Sequence, residues 1–138
     1  MTLLRRCAAA ILALSLLPAA PALAQGAYPT KPIRLVVPFT PGAGTDTVAR
    51  FVAQKLSERL GQQVVVENRT GAGGAIGAVE VAKAEPDGYT LLFVASPFTT
   101  VAASAKNPGY DPVGQFVPVA PIASGPLAFA VNPAVPAT

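Results

Sequence analysis

Two glycine-rich stretches hold the residues best suited to chemistry in this chain. Residues 38–46 read PFTPGAGTD, and residues 68–74 read NRTGAGG. Each lies between an apolar, strand-like run and a helical pattern. The first N–H groups of a helix have no intrahelical partner, and glycine lets the backbone turn them toward one point. Both stretches therefore suit an anion. In the first, Gly42 and Gly44 are expected at positive φ, aiming successive N–H groups at one oxygen as an anion nest does. Thr45 adds a hydroxyl, and Phe39 can present a ring to the stem of a ligand. Asp46 is a carboxylate beside a proposed anion site, which makes sense if it caps its helix or orients a water or an ammonium group.

In the second stretch, Gly71, Gly73 and Gly74 either hold ligand or let a neighbouring segment approach. Arg69 either pairs with a ligand carboxylate or is a solvated turn residue. Ser96, Thr99 and Thr100 offer hydroxyls after a third apolar run, and Ser96 can equally serve as a helix cap. One helix start contributes about 0.3–1 kcal/mol to binding an anion. A micromolar ligand needs about 8 kcal/mol. Several N–H groups must therefore act together.

Other chemistries fit poorly. The chain has no histidine, and its single cysteine is Cys7, so histidine bases and zinc sites of the usual composition are not expected. No G-x-S-x-G elbow occurs, and no Gly-Lys-Ser/Thr follows the first glycines as a phosphate loop requires. A dinucleotide site is the nearest catalytic rival, but neither stretch has its third glycine at the proper spacing. No metal and no cofactor is expected. The formal charge is +3, with Lys and Arg interspersed among acids. There is no basic stripe of the kind nucleic acid requires.

These residues need elements to hold them. Residues 33–39 (IRLVVPF) read as a strand buried on both faces, closed by Pro38. A helix is expected from Asp46 to Leu60, with Val48, Phe51, Val52, Leu56 and Leu60 as its apolar stripe and Gly61 as its stop. Thr45 or Asp46 can cap it, and Asp46 can pair with Arg50 one turn on. Residues 63–67 form a second strand, on the β-branched run Val64, Val65, Val66. A second helix follows from Gly74 or Ala75 to Ala84, with Gly77 allowing close packing on the sheet. Residues 85–88 (EPDG) turn the chain into a third strand, residues 89–95, and Ser96-Pro97 opens a short helix. Tyr89 and Tyr110 are packing residues. The order β-α-β-α-β with right-handed crossovers gives a parallel sheet whose loops share one edge.

The two ends differ from this pattern. Arg5 and Arg6, an apolar stretch from Cys7 to Leu17 and Ala22-Leu23-Ala24 read as an export signal cleaved after residue 24. The apolar stretch is too short to span a bilayer. Its removal leaves 114 residues and a charge of +1, enough for one small core and with no stable membrane insertion expected. Residues 116–122 and 127–131 look like short strands that either cross into a second domain not present or belong to an ordinary flexible tail. The reading is thus a signal at 1–24, a first lobe at 25–115 and a crossover at 116–138.

The motifs together resemble a known family. Residues 28–39 (YPTKPIRLVVPF), 41–46 (PGAGTD), 64–69 (VVVENR) with 71–74 (GAGG), 86–91 (PDGYTL) and 110–112 (YDP) resemble the substrate-binding proteins of tripartite tricarboxylate transporters, the Bug family. The resemblance implies an α/β periplasmic binding protein of type II-like fold, with the parallel sheet of the first lobe here and the second lobe largely missing. It implies a periplasmic receptor, not an enzyme, that closes on a small organic acid and docks on a permease of one large and one small membrane subunit. It carries ligand contacts onto Phe39, Gly42, Ala43, Thr45, Asp46, Ser96 and Thr99. The loop reading adds Gly44, Gly73 and Gly74. Family members commonly have a second Gly and a Ser before Thr-Asp, where this chain has Ala43 and Gly44. Two other readings stand beside this one: an exported structural or adaptor domain without a ligand, and the dinucleotide-linked enzyme.

Overall fold

Residues 33–37 are apolar except for Arg34, a composition that favours extended backbone packed on both faces. They form β1 (Ile33–Val37), the central strand. The computed structural model describes residues 28–125 and Asn132. The expected signal at 1–24 and the strand expected at 127–131 lie outside the described residues. β2 (Val64–Asn68) and β3 (Thr90–Leu92) pair with β1 on either side, both parallel to it, giving the order β2-β1-β3. Ile33 sits beside Val64, and Leu35 beside Val66 and Leu91. β1 ends before Pro38, as expected of a residue with no N–H to give the ladder; β2 keeps its expected length one residue further on, and β3 alone is shorter than expected, stopping at Leu92.

Helix α1 (Gly44–Leu60) covers one face. Ile33, Leu35 and Val37 meet Ala49 and Ala53 there, with Leu56 and Phe39 partly buried alongside. The expected stripe is therefore rotated. Val48 and Phe51 point outward, Phe51 at 63% exposure, while Asp46, Ala49 and Ala53 face the sheet. The small residues win because they let the helix axis approach the strands, and the larger Val and Phe would hold it off. Gly61 ends the helix in a left-handed conformation, its N–H donating to the Ser57 carbonyl.

The opposite face is covered by α2 (Ala75–Ala82) and α3 (Pro97–Ser104). Ala75, Ala78 and Tyr110 form its core, with Leu92, Phe98, Val101 and Phe116 packed around them. Tyr110 stacks on Phe98 at 5.3 Å and donates its hydroxyl hydrogen to the Phe98 carbonyl at 2.6 Å. Tyr89 packs on the first core, as expected of it. Residues 116–122, expected as a strand, adopt no regular structure. Pro118 and Pro121 remove N–H groups that a strand there would need. Only Phe116 in this stretch is held in the core, and Val117 and Val119 are exposed. No helix among the described residues is long and apolar enough to cross a membrane.

Candidate functional site

Three parallel strands send three loops to one edge, and the order β2-β1-β3 creates a switch point there. The chain leaves β1 toward β2 over one face, then returns to β3 over the other. The crevice of such a sheet lies at the carboxyl ends of the two strands on either side of the switch, here β1 and β3. The loop after β1 is residues 38–43, which leads directly into α1.

That loop is built around Asp46. Gly42 takes a φ of 81° and turns its N–H back onto Asp46 Oδ2 at 2.8 Å. Asp46 is the third residue of α1, so its carboxylate reaches backward over the helix start, as the acid of a capping box does. Ala43, not Thr45 or Asp46, is the N-cap, and it makes no side-chain cap bond. Gly44 corrects a second expectation. It is the first helical residue and has no positive φ. The first intrahelical bond runs from the Thr47 N–H to the Ala43 carbonyl at 2.9 Å. The N–H groups of Gly44, Thr45 and Asp46 thus form the open first turn, with no hydrogen bond to any described residue. A β-carbon placed on Gly42 or Gly44 would meet nothing within 4 Å, so open space lies beside this turn. Phe39 is half-buried against the first core.

Asp46 is 2% exposed yet fully partnered. Besides Gly42, it accepts from Arg50 Nε at 2.9 Å and from Asn68 Nδ2 at 2.8 Å. The Arg50 bond, then the Gly42 N–H and Asn68, pull its pKa down to about 2. Asn68 ends β2, and its Nδ2 also donates to the Phe39 carbonyl at 3.0 Å. Its Oδ1 accepts from the Arg50 guanidinium at 3.0 Å. Arg50 and Asn68 were not among the expected site residues. The available signal was the spacing of Arg50 four residues after Asp46 and the place of Asn68 where a strand gives way to a glycine turn.

The second glycine stretch is closely packed. Its residues 72–74 form a short 3₁₀ turn leading into α2. A β-carbon on Gly73 would lie 2.9 Å from Val101 of α3, one on Gly74 would lie 3.4 Å from Pro38, and one on Gly71 would lie 2.5 Å from Ile76. The close approach of neighbours, one of the two expectations for this stretch, is present at all three glycines. These contacts tie the second loop to both the first loop and α3. Arg69 is engaged with Glu67 and Glu80, both at 3.1 Å. The same two carboxylates flank Arg34, at 2.9 and 2.8 Å. This four-residue charge network holds β1, β2 and α2 together.

After β3, Ser96 precedes α3 as its N-cap but makes no side-chain cap bond. Thr99 donates its hydroxyl hydrogen to the Ser96 carbonyl at 3.2 Å. Ser96 and Thr99 are both exposed. An apolar hollow of about 400 Å³ lies elsewhere, between α2 and α3, lined by Ala72, Ile76, Val79 and Val101 among others. It includes no first-loop residue.

The family described as the tripartite tricarboxylate transporter family receptor matches residues 48–138. The match begins two residues after Asp46. A protein from the ttuE–ttuC′ intergenic region of Agrobacterium vitis is 49% identical over 104 residues, 75% of this chain and 30% of that protein. BugT of Bordetella pertussis is 44% identical over 108 residues, 77% of this chain and 33% of BugT. Among solved structures, the periplasmic binding protein BugD superposes with a TM-score of 0.62 at 49% identity, over 64% of this chain and 30% of BugD. The chain thus spans about a third of the length of the relatives it matches.

Proposed function

This chain belongs to the tripartite tricarboxylate transporter receptor family, and from that premise we propose that it is the first lobe of a periplasmic receptor for a small organic carboxylate, with no catalytic role. Residues 25–115 supply the lobe, and residues 116–138 lead out of it. A carboxylate oxygen accepts from the Gly44, Thr45 and Asp46 N–H groups at the start of α1. The exposed hydroxyls of Ser96 and Thr99 stand across the switch point. Phe39 and Ala43 border the ligand, and Gly73 and Gly74 set the second loop behind it. Delivery to a permease of one large and one small membrane subunit is part of the same reading, supported by the transporter role in the family's description.

The observation that carries this reading is the open first turn of α1 beside a glycine-shaped loop at the switch point of the sheet. Three N–H donors without a partner among the described residues lie there, on the positive end of a 17-residue helix. Dispersed charge and the family's receptor role favour a bound solute over a reaction.

The test is amide NMR of the ¹⁵N-labelled chain during titration with succinate, citrate and adipate. The expected result is saturable shifts of the Gly44, Thr45 and Asp46 amides for at least one acid, at millimolar concentration. One wall of a cleft leaves the ligand in contact with water, so affinity weaker than micromolar is expected. Shifts confined to residues remote from these loops would refute the reading.

A further inference from the structure

The Asp46 carboxylate is itself an anion, carried on the same first turn as the three open N–H groups. Unrestrained, it could swing over the helix start and accept from those groups, as acidic residues in a first turn do. Tethered to the same backbone, it would compete with a free carboxylate at high effective concentration. The structure places it elsewhere. Its Oδ1 faces Asn68 of β2, and its Oδ2 faces Arg50 and the Gly42 N–H.

We propose that Asn68 and Arg50 are positioning residues that lock the Asp46 carboxylate inward, so that the receptor's own anion is kept off the three N–H groups that take the ligand. This rests on the carboxylate reading above. Asn68 suits the task because its amide supplies two donors and an acceptor in one plane. The donors go to Asp46 and the Phe39 carbonyl, and the acceptor goes to the Arg50 guanidinium. The lock therefore fixes both ends of the loop: Phe39 as it leaves β1, and Gly42 as it approaches α1. The charged groups beside Asn68 in sequence, Glu67 and Arg69, are committed to the Arg34–Glu80 network. Asp46 thus faces one cation, Arg50.

The experiment uses the ¹⁵N-labelled 138-residue chain as wild type, Arg50→Gln and Asn68→Asp. Two signals are followed: hydrogen-exchange protection of the Gly42 amide relative to the β1 amides of Leu35 and Val36, and the succinate-induced shifts of Gly44, Thr45 and Asp46. At neutral pH both variants should lose Gly42 protection by about tenfold or more, since a hydrogen bond to a charged group is at stake. The β1 amides should keep theirs. Succinate shifts should shrink in both variants. In Asn68→Asp two carboxylates face each other, so one takes up a proton more readily than usual. Gly42 protection should then return in that variant as the pH falls toward about 5, while wild type stays flat over the same range.

Unchanged Gly42 protection in both variants overturns the lock, as do undiminished succinate shifts. Protection lost equally from Gly42 and β1 also overturns it, because the residues would then be holding the fold and not the loop. Arg50 is about half-exposed, so its variant decides the matter should Asn68→Asp fail to fold. If wild type shows no succinate, citrate or adipate shift, the carboxylate reading fails, and the lock on the loop stands or falls on Gly42 protection alone.

Discussion

Replacing Gly77 by alanine sets two effects of opposite sign against each other, and the structure says which wins. Gly77 lies inside α2 with ordinary helical backbone, where alanine is intrinsically favoured by about 1 kcal/mol. The added β-carbon, however, would lie 2.9 Å from the Pro38 β-carbon, 3.0 Å from the Arg69 carbonyl oxygen and 3.3 Å from the Pro38 α-carbon. Two of these three atoms are backbone and the third belongs to a rigid ring, so none can rotate away. Overpacking of this kind costs about 1–3 kcal/mol, and steric contact on both sides of the new methyl puts the cost toward the upper end. The net expectation is a loss of about 1–2 kcal/mol, or a fall of at least about 4 °C in Tm for a domain of this size.

Gly44→Ala is the control. Its β-carbon would meet nothing within 4 Å and its φ is ordinary, so only the backbone gain of up to about 1 kcal/mol remains. Thermal melts and urea titrations of the two variants should therefore move in opposite directions. A Gly77→Ala chain as stable as wild type would refute the reasoning, because α2 would then be free to withdraw from Pro38. Equal losses in both variants would refute it too, since crowding would not be the cause. Because Pro38 opens the first loop, Gly77→Ala should also shift the Gly42 amide resonance, which Gly44→Ala probes from the other end of the turn.

Acid should loosen the chain through its partnered carboxylates. Arg50, Gly42 and Asn68 depress Asp46 to about 2, and Arg34 holds Glu67 below its ordinary value. A carboxylate with a lowered folded pKa contributes stability that is fully present above its unfolded value, about 4, and is lost as the pH falls through the folded one. Urea midpoints should be flat from pH 8 to 5, fall between about 4 and 2, and fall less in Arg50→Gln. Tyr110→Phe leaves the Phe98 carbonyl without its 2.6 Å partner and should cost about 1 kcal/mol in urea unfolding. It should leave succinate-induced amide shifts unchanged, since Tyr110 lies in the α2–α3 core.

Most of the fold was legible because its signals are local. A nearly all-apolar run from residue 33 and a β-branched run at 64–66 marked strands, Gly61 marked a helix end, and Pro97 marked a helix start. Alternation with helices then forced parallel pairing. The rotation of α1 was not legible. Periodicity finds apolar residues at helical spacing, and Val48 and Phe51 satisfy it. What decides burial is the distance between helix and sheet, and Ala49 and Ala53 set that distance. The failure at 116–122 is of another kind. Hydropathy there suits a strand, but Pro118 and Pro121 break the ladder, and that information was in the same segment.

The site shows where reading a glycine-rich motif reaches its limit. Both stretches carry the same residue type, yet their glycines act for different reasons. At Gly42 the chain needs a backward turn with open space beside it. At Gly73 and Gly74 it needs room for Val101 and Pro38 to approach. Composition cannot separate these, because each demand removes the same β-carbon. The partners separate them. An N–H aimed at a carboxylate marks a loop whose shape matters, and a neighbour in van der Waals contact marks a loop that fills space. On that criterion the first stretch is shaped by its hydrogen bonds and the second by its packing against Pro38 and Val101. Asp46 belongs with the first because its three donors come from the loop, from α1 and from β2. A side chain so placed links the loop, α1 and β2, which is why its loss should disturb the loop before it disturbs the sheet.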